Sequence, residues 1–463
     1  MNQHRKLPKI LWLACAVAAL GGFLFGFDMA VVSGILPLIT KQFSLAAFQQ
    51  GWFVSSALVG CIAGVAMSGE LGDRFGRRRI LLLAAVLFMM SALGCGLLPT
   101  FSSIIVARIL GGVGVGIASS MVPLYISEIA PAKIRGRLVT YYQLAVTLGI
   151  LVAYLSNAFL VETALSTVDD ASGWLGVWFH EEVWRGMFIV GALPALVFWL
   201  GLLGIPESPR WLLQKGQTGA GMALLARFVG EEEATADLES RQRQGQRQSS
   251  YRELFSSQLR KPLLLGLLLP FFSQFCGINA IIYYGPSILS TTGVSLSSSL
   301  QSQIIFGVAN LAFTLIAVWK VDKLGRRPLY LVGTLAAALS LMVVGGCLYG
   351  ENTQGWLLLF SVIVFLASFA FSIGPLKFVV AAEIFPSHIR AKAMALSIMV
   401  MWVADTVIGQ LTPLLLEGIG TAFTFWFFAL WCMLAFVAVY RLLPETKGKS
   451  LEDIESEWLE KSK

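Results

Sequence analysis

Polar residues in this chain are confined to short blocks between long apolar runs. Twelve runs stand out, at about 10–36, 51–71, 80–98, 103–126, 138–160, 185–205, 263–289, 301–320, 328–349, 356–381, 393–416 and 422–442. Each is close to or above the roughly 20 residues with which a helix crosses a bilayer. None has the alternating ten-residue pattern of an outer-membrane barrel strand. The first run is too long for a secretory signal and lacks a small-residue cleavage site, so it is read as a retained span. The pattern predicts an all-α membrane protein with twelve transmembrane helices.

The polar blocks repeat. GELGDRFGRRR (Gly69 to Arg79), after span 2, is echoed by VDKLGRRP (Val321 to Pro328) after span 8. SEIAPAKIRGR (Ser127 to Arg137) after span 4 is echoed by AEIFPSHIRAK (Ala382 to Lys392) after span 10. PESPRW (Pro206 to Trp211) after span 6 is echoed by PETKGK (Pro444 to Lys449) after span 12. Three matches at the same relative spans define two parallel, pseudo-symmetric six-helix bundles, the internal symmetry of secondary transporters that hold substrate near the membrane midplane. The expected division is 1–206 for the first bundle, 207–262 for a cytoplasmic linker with short helices, 263–443 for the second bundle and 444–463 for a cytoplasmic tail.

Composition agrees with this division: 56% of the 463 residues are hydrophobic and 13% charged, too little charge to cover a water-soluble protein of this length. A net charge of +7 could suggest nucleic acid, but the basic residues crowd alternate connections, as at Arg77 to Arg79, Arg135 and Arg137, and Arg326 and Arg327. The positive-inside rule then places both termini and the linker in the cytoplasm, with the chain multi-pass in a plasma membrane, the inner membrane of a bacterium. The six cysteines fall within apolar runs and show no metal spacing, so neither a metal nor a disulfide is expected. No HExxH, GxSxG or pair of catalytic carboxylates occurs in the spans, and an enzyme is not expected.

Against this background Asp28 stands out. It ends GGFLFGFD (Gly21 to Asp28) inside an apolar run from Ile10 to Ile39 with no other charge. A charge at that depth costs about 2.5 kcal/mol or more, so such residues face a cavity, find a partner and mark an ion path; a structural Asp tied to a helix end is the alternative. Counting about 1.5 Å per residue puts Asp28 and Arg108 (in ARILGG) in the same outer half of the membrane. Gly111, Gly112, Gly114 and Gly116 thin span 4 and let another helix approach. An aspartate beside an arginine can stay ionised, or take up a proton when the arginine withdraws.

Other polar groups at midplane depth are the amides Gln143, Gln274, Asn279 and Asn310, able to donate and accept hydrogen bonds, although lone amides in membrane helices also serve as interhelical glue. Gly277 and Pro286 are expected to interrupt span 7, making Tyr283 and Tyr284 outer-gate aromatics. Lys377, after Gly374-Pro375, and Asp405, three residues past Trp402, are two further intramembrane charges. They are read either as a buried ion pair or as a pair touching substrate. At the cytoplasmic helix ends Asp73 with Arg77, Glu128 with Arg135, Asp322 with Arg326 and Arg327, and Glu383 with Arg390 form a candidate gate that breaks as the halves rock. The plain alternative is a set of solvated topology signals.

On these motifs the chain resembles the sugar porter branch of the major facilitator superfamily, the group of bacterial xylose, arabinose and galactose proton symporters and animal glucose facilitators. The resemblance implies that Asp28 and Arg108 couple the proton, which is the coupling ion, that no cofactor is needed, and that Glu207 and Arg210 join the cytoplasmic network. It implies a sugar site of Phe25, Gln143, Ile150, Gln274, Asn279, Asn310, Gly374, Phe378 and Trp402. Facilitators of this group typically carry Asn where this chain has Asp28. Several positions depart from the resembled pattern: Ser273 replaces the first of two glutamines, Phe378 a tryptophan, and Met401 a glutamine, while Lys377 and Asp405 add charge. The expectation is a monomeric, proton-coupled monosaccharide symporter surrounded by lipid, with no nucleic-acid partner. A sugar uniporter, a polyol or sugar-acid transporter and a sugar-binding nutrient sensor are the alternatives.

Overall fold

The computed structural model describes residues 8–131, 134–166, 182–235, 251–256, 259–290, 294–350, 355–385 and 389–445. Most of the expected cytoplasmic tail and part of the linker lie outside the described residues. The first five spans are α1 (Lys9–Phe43), α2 (Ala47–Phe75), α3 (Arg77–Leu97), α4 (Phe101–Ile129) and α5 (Arg135–Ser166). The sixth is two helices, α6 (Val183–Val190) and α7 (Ala192–Gly204), abutting at Gly191. Short helices α8 (Pro209–Gln214), α9 (Thr218–Val229) and α10 (Tyr251–Leu254) fall in the linker. The seventh span joins α11 (Arg260–Phe275) to α12 (Ile278–Ser290), and α13 (Leu296–Leu324) and α14 (Arg326–Tyr349) follow. The tenth joins α15 (Gly355–Ser368), a π-helical turn (Phe369–Ile373) and α16 (Gly374–Ile384); α17 (Arg390–Gly418) and α18 (Thr421–Leu442) complete the chain. Among the described residues twelve helical stretches are long and apolar enough to cross a membrane. The protein is an all-α, twelve-span, multi-pass membrane protein.

The breaks have local causes. Gly76, at φ 100°, is the single residue between α2 and α3, and Gly325, at φ 89°, is its counterpart between α13 and α14. A side chain would be strained at both. Gly277, at φ 86°, breaks the seventh span as expected. Pro286 does not; it lies inside the unbroken α12, because a helix can absorb one missing amide where neighbours pack closely. The tenth span is not cut at Gly374-Pro375. A π turn (Phe369–Ile373) precedes it, with the Gly374 amide donating to the Phe369 carbonyl, and such turns are frequent near functional sites.

Two compact units organise the chain. The first comprises residues 1–31, 59–156 and 167–247, the second residues 32–58, 157–166 and 248–463. Within the first, α3 packs on α4, α6 and α7. Glycines let the helix backbones touch: a Cβ on Gly26 of α1 would lie 1.9 Å from the Val146 carbonyl oxygen of α5, and one on Gly116 of α4 would lie 2.2 Å from the Cys61 carbonyl oxygen of α2. In the second unit α14 packs on α18 and α15, and α11 on α17.

Candidate functional site

The α1–α5 contact at Gly26 carries Phe25 and Asp28 on one helix and Gln143 and Ile150 on the other. Arg108, on α4, is buried, while Asp28 is half-buried. Arg108 is the charged side chain whose field acts on the Asp28 carboxylate. Cys95 of α3 lies within reach of both charges. The Arg108 guanidinium also lies over the Phe188 ring of α6, 5.8 Å from its centroid. The ring face gives the guanidinium a cation–π contact inside the unit. Gln143 is half-buried, and its amide makes no hydrogen bond among the described residues. Ile150 is buried and Phe25 half-buried.

In the second unit α12, which starts after the break at Gly277, brings one amide and one hydroxyl to a single carboxylate. Asp405, on α17 and 3% exposed, accepts from Asn279 Nδ2 at 2.7 Å and from Tyr283 Oη at 3.2 Å. Asn279 Nδ2 also donates to Gln274 Oε1 at 2.8 Å. Tyr284 donates to the Gly409 carbonyl, so both tyrosines are buried and anchored to α17. Lys377, on α16 and 7% exposed, donates to Ser273 Oγ at 3.1 Å and lies over the Phe378 and Phe369 rings at 5.1 and 6.0 Å. Ser273 in turn donates to the Pro270 carbonyl at 2.7 Å. Asn310 is buried without a hydrogen-bond partner among the described residues, Trp402 is fully buried, and Gly374 begins α16 after the π turn.

The motif-bearing helix ends form one network in each unit. In the first, Arg77 reaches Asp73 at 3.0 Å, Glu128 at 3.2 Å and the Gly72 carbonyl at 2.9 Å. Ser208 donates to Glu128, and the Trp211 indole donates to the Asp73 carbonyl at 2.9 Å. Glu207 accepts from the Arg78 amide at 3.0 Å and so caps α3. In the second, Arg326 reaches Glu383 at 3.1 Å. Glu445 accepts from the amides of Arg326 and Arg327 at 3.0 and 3.2 Å and caps α14.

A family model described as "Sugar (and other) transporter" matches residues 14–458. The chain belongs to the sugar transporter family. This transporter is 39% identical to an arabinose-proton symporter of Bacillus subtilis over 99% of its own length and 97% of that protein. It is 36% identical to a D-xylose-proton symporter of Escherichia coli over 96% and 94% of the two chains. The inward-open structure of the xylose transporter XylE from E. coli superposes with a TM-score of 0.82 at 33% identity, covering 97% of this chain and 100% of that one. The fold is that of the major facilitator superfamily, and the protein is a transporter, not an enzyme.

Some expected partners in this transporter are others. Glu128 pairs with Arg77, not Arg135, and Glu383 pairs with Arg326, not Arg390, which instead donates to the Phe385 carbonyl at 3.2 Å. In both cases the cation comes from the start of an earlier helix, α3 or α14, which begins directly after the tight turn at Gly76 or Gly325. Each observed pair lies within one unit. Arg210 sits on α8, and the Asp322 side chain lies outside the described residues. Lys377 and Asp405 are both buried but form no ion pair within 4.0 Å among the described residues. The departures are mutually adapted: the short Ser273 provides the oxygen that Lys377 uses, and Phe378 provides a ring face beneath it. Sequence reasoning passed over Glu445, whose echo of Glu207 in PETKGK was the available signal. It also passed over Gln303 and Gln410, which accept from Ser33 at 2.7 Å and Ser55 at 2.9 Å. Both were visible as lone amides in apolar runs.

Proposed function

We propose that this transporter imports a monosaccharide together with a proton across a plasma membrane, the inner membrane of a bacterium, by alternating access. The reading assigns two six-helix repeats, 1–206 and 263–443, joined by a cytoplasmic linker, with both termini cytoplasmic and the chain working as a monomer in lipid. Asp28 is the group that loads the proton, and Arg108 is its counter-charge. Gln143, Gln274, Asn279 and Asn310 offer donors and acceptors to sugar hydroxyls, with Phe25, Ile150, Gly374, Phe378 and Trp402 as the apolar wall. The networks around Arg77 and Arg326 keep each repeat stiff at its cytoplasmic end while the repeats rock.

One observation carries the reading: a half-buried aspartate in a membrane helix has a buried arginine as the charge acting on it. A carboxylate at that depth is costly, and loading a proton is a role that accounts for keeping it. A proton entering down a membrane potential supplies about 2.3 kcal/mol per 100 mV, which is enough to concentrate sugar severalfold or more. In proteoliposomes loaded with D-xylose or L-arabinose, Asp28→Asn is expected to abolish accumulation driven by a pH gradient while leaving counterflow intact. Undiminished accumulation by Asp28→Asn sinks the assignment. Wild-type uptake that ignores the pH gradient makes the protein a facilitator.

A further inference from the structure

Lys377 and Asp405 are two opposite buried charges that do not touch. An ammonium carries three N–H donors, and among the described residues only Ser273 Oγ receives one. Asp405 holds Asn279 on one oxygen and Tyr283 on the other, which leaves a lone pair free on each. Each charge nevertheless lies in the electrostatic field of the other. Two desolvated opposite charges gain by closing into contact, and holding them apart is costly unless a third group bridges them.

A group set between the two would accept from the ammonium and donate to the carboxylate. A hydroxyl does both, and because it is neutral it leaves the sum of charge in the site at zero. A carboxylate would satisfy Lys377 but set a second anion against Asp405. An amine would satisfy Asp405 but face the ammonium. The polar line continues from Asp405 through Asn279 to Gln274, so hydroxyls next to the bridging one meet amides. We propose that Lys377 and Asp405 form a specificity clamp for a neutral polyhydroxylated ligand, one hydroxyl of which sits between them. The proposal rests on the sugar-symport reading and narrows its substrate class to neutral sugars and cyclic polyols, excluding sugar acids and amino sugars.

The test uses the full chain in proteoliposomes, in counterflow without a pH gradient, so that it does not depend on coupling. Competitors are D-xylose, L-arabinose, D-glucose, D-galactose, myo-inositol, D-glucuronate and D-glucosamine. The strongest neutral competitor is then compared with its monodeoxy analogues in the wild type, Lys377→Met and Asp405→Asn. Neutral compounds are expected to compete, and D-glucuronate and D-glucosamine are not. Removing one particular hydroxyl should weaken competition about tenfold or more in the wild type, the scale of a hydrogen bond to a charged group, and less than about twofold in either variant. That ratio is read within each protein, so poor folding of a variant cannot mimic it. Competition by D-glucuronate or D-glucosamine equal to the neutral sugars overturns the clamp, as does a parent-to-deoxy ratio unchanged in both variants. If pH-driven accumulation fails while the ratio collapses as expected, the symport reading falls and the clamp stands.

Discussion

Gly26→Ala tests the α1–α5 contact on which the proton-coupling residue depends. The added Cβ would lie 1.9 Å from the Val146 carbonyl oxygen, 2.8 Å from its carbonyl carbon and 3.1 Å from the Ile150 amide nitrogen. All three atoms are backbone, so no rotamer change relieves the overlap. Ordinary contact begins at 3.4 Å, so the helices must part by about 1.5 Å, from 3.4 minus 1.9. Overpacking of this kind costs about 1–3 kcal/mol or more. In a domain of roughly 200 residues each kcal/mol lowers Tm by about 2–4 °C, so the expected drop is about 2–12 °C. Thermal unfolding of the purified protein in detergent, followed by loss of the monodisperse chromatographic peak, measures it. Gly204→Ala is the control, since a Cβ there meets nothing within 4 Å. Because Phe25 and Asp28 flank the contact, Gly26→Ala should also slow both counterflow and pH-driven uptake. A variant that melts within 1 °C of wild type and transports normally refutes the close approach of α1 to α5.

Other outcomes follow from the same reasoning. Arg77 has two acid partners of different exposure: the Asp73 side chain is 72% exposed and that of Glu128 is 6% exposed. Asp73→Asn should therefore cost under about 1 kcal/mol, whereas Glu128→Gln should cost roughly 3 kcal/mol by leaving a buried guanidinium short of its anion; chemical denaturation of the two variants side by side checks the order. Glu445→Ala removes the acceptor of two backbone amides at the start of α14 and should cost about 1 kcal/mol, with Glu207→Ala at the start of α3 costing a similar amount. Faster hydrogen exchange confined to the first turn of each helix would show it, and unchanged exchange there would deny the cap. Gly277→Ala should lower Tm and weaken sugar binding, since it meets both a positive φ and the Phe428 ring at 2.6 Å; normal binding by Gly277→Ala would mean the seventh span need not break there.

Twelve membrane spans, their approximate limits and the twofold repeat were legible in the chain because bilayer thickness and the avoidance of buried charge are written in runs of residues, one helix at a time. Asp28 and Arg108 could also be matched from a distance, since helical rise converts residue number into depth. Gly277 announced its break because no other residue accepts its backbone conformation cheaply. Partner choice was another matter. Motif spacing groups Glu128 with Arg135 and Glu383 with Arg390 along the chain, but two helices folding back at Gly76 and Gly325 bring Arg77 and Arg326 nearer. Depth alone could not tell whether Lys377 and Asp405 touch, because separation across a bundle depends on helix packing and side-chain direction, which no count of residues along one helix contains.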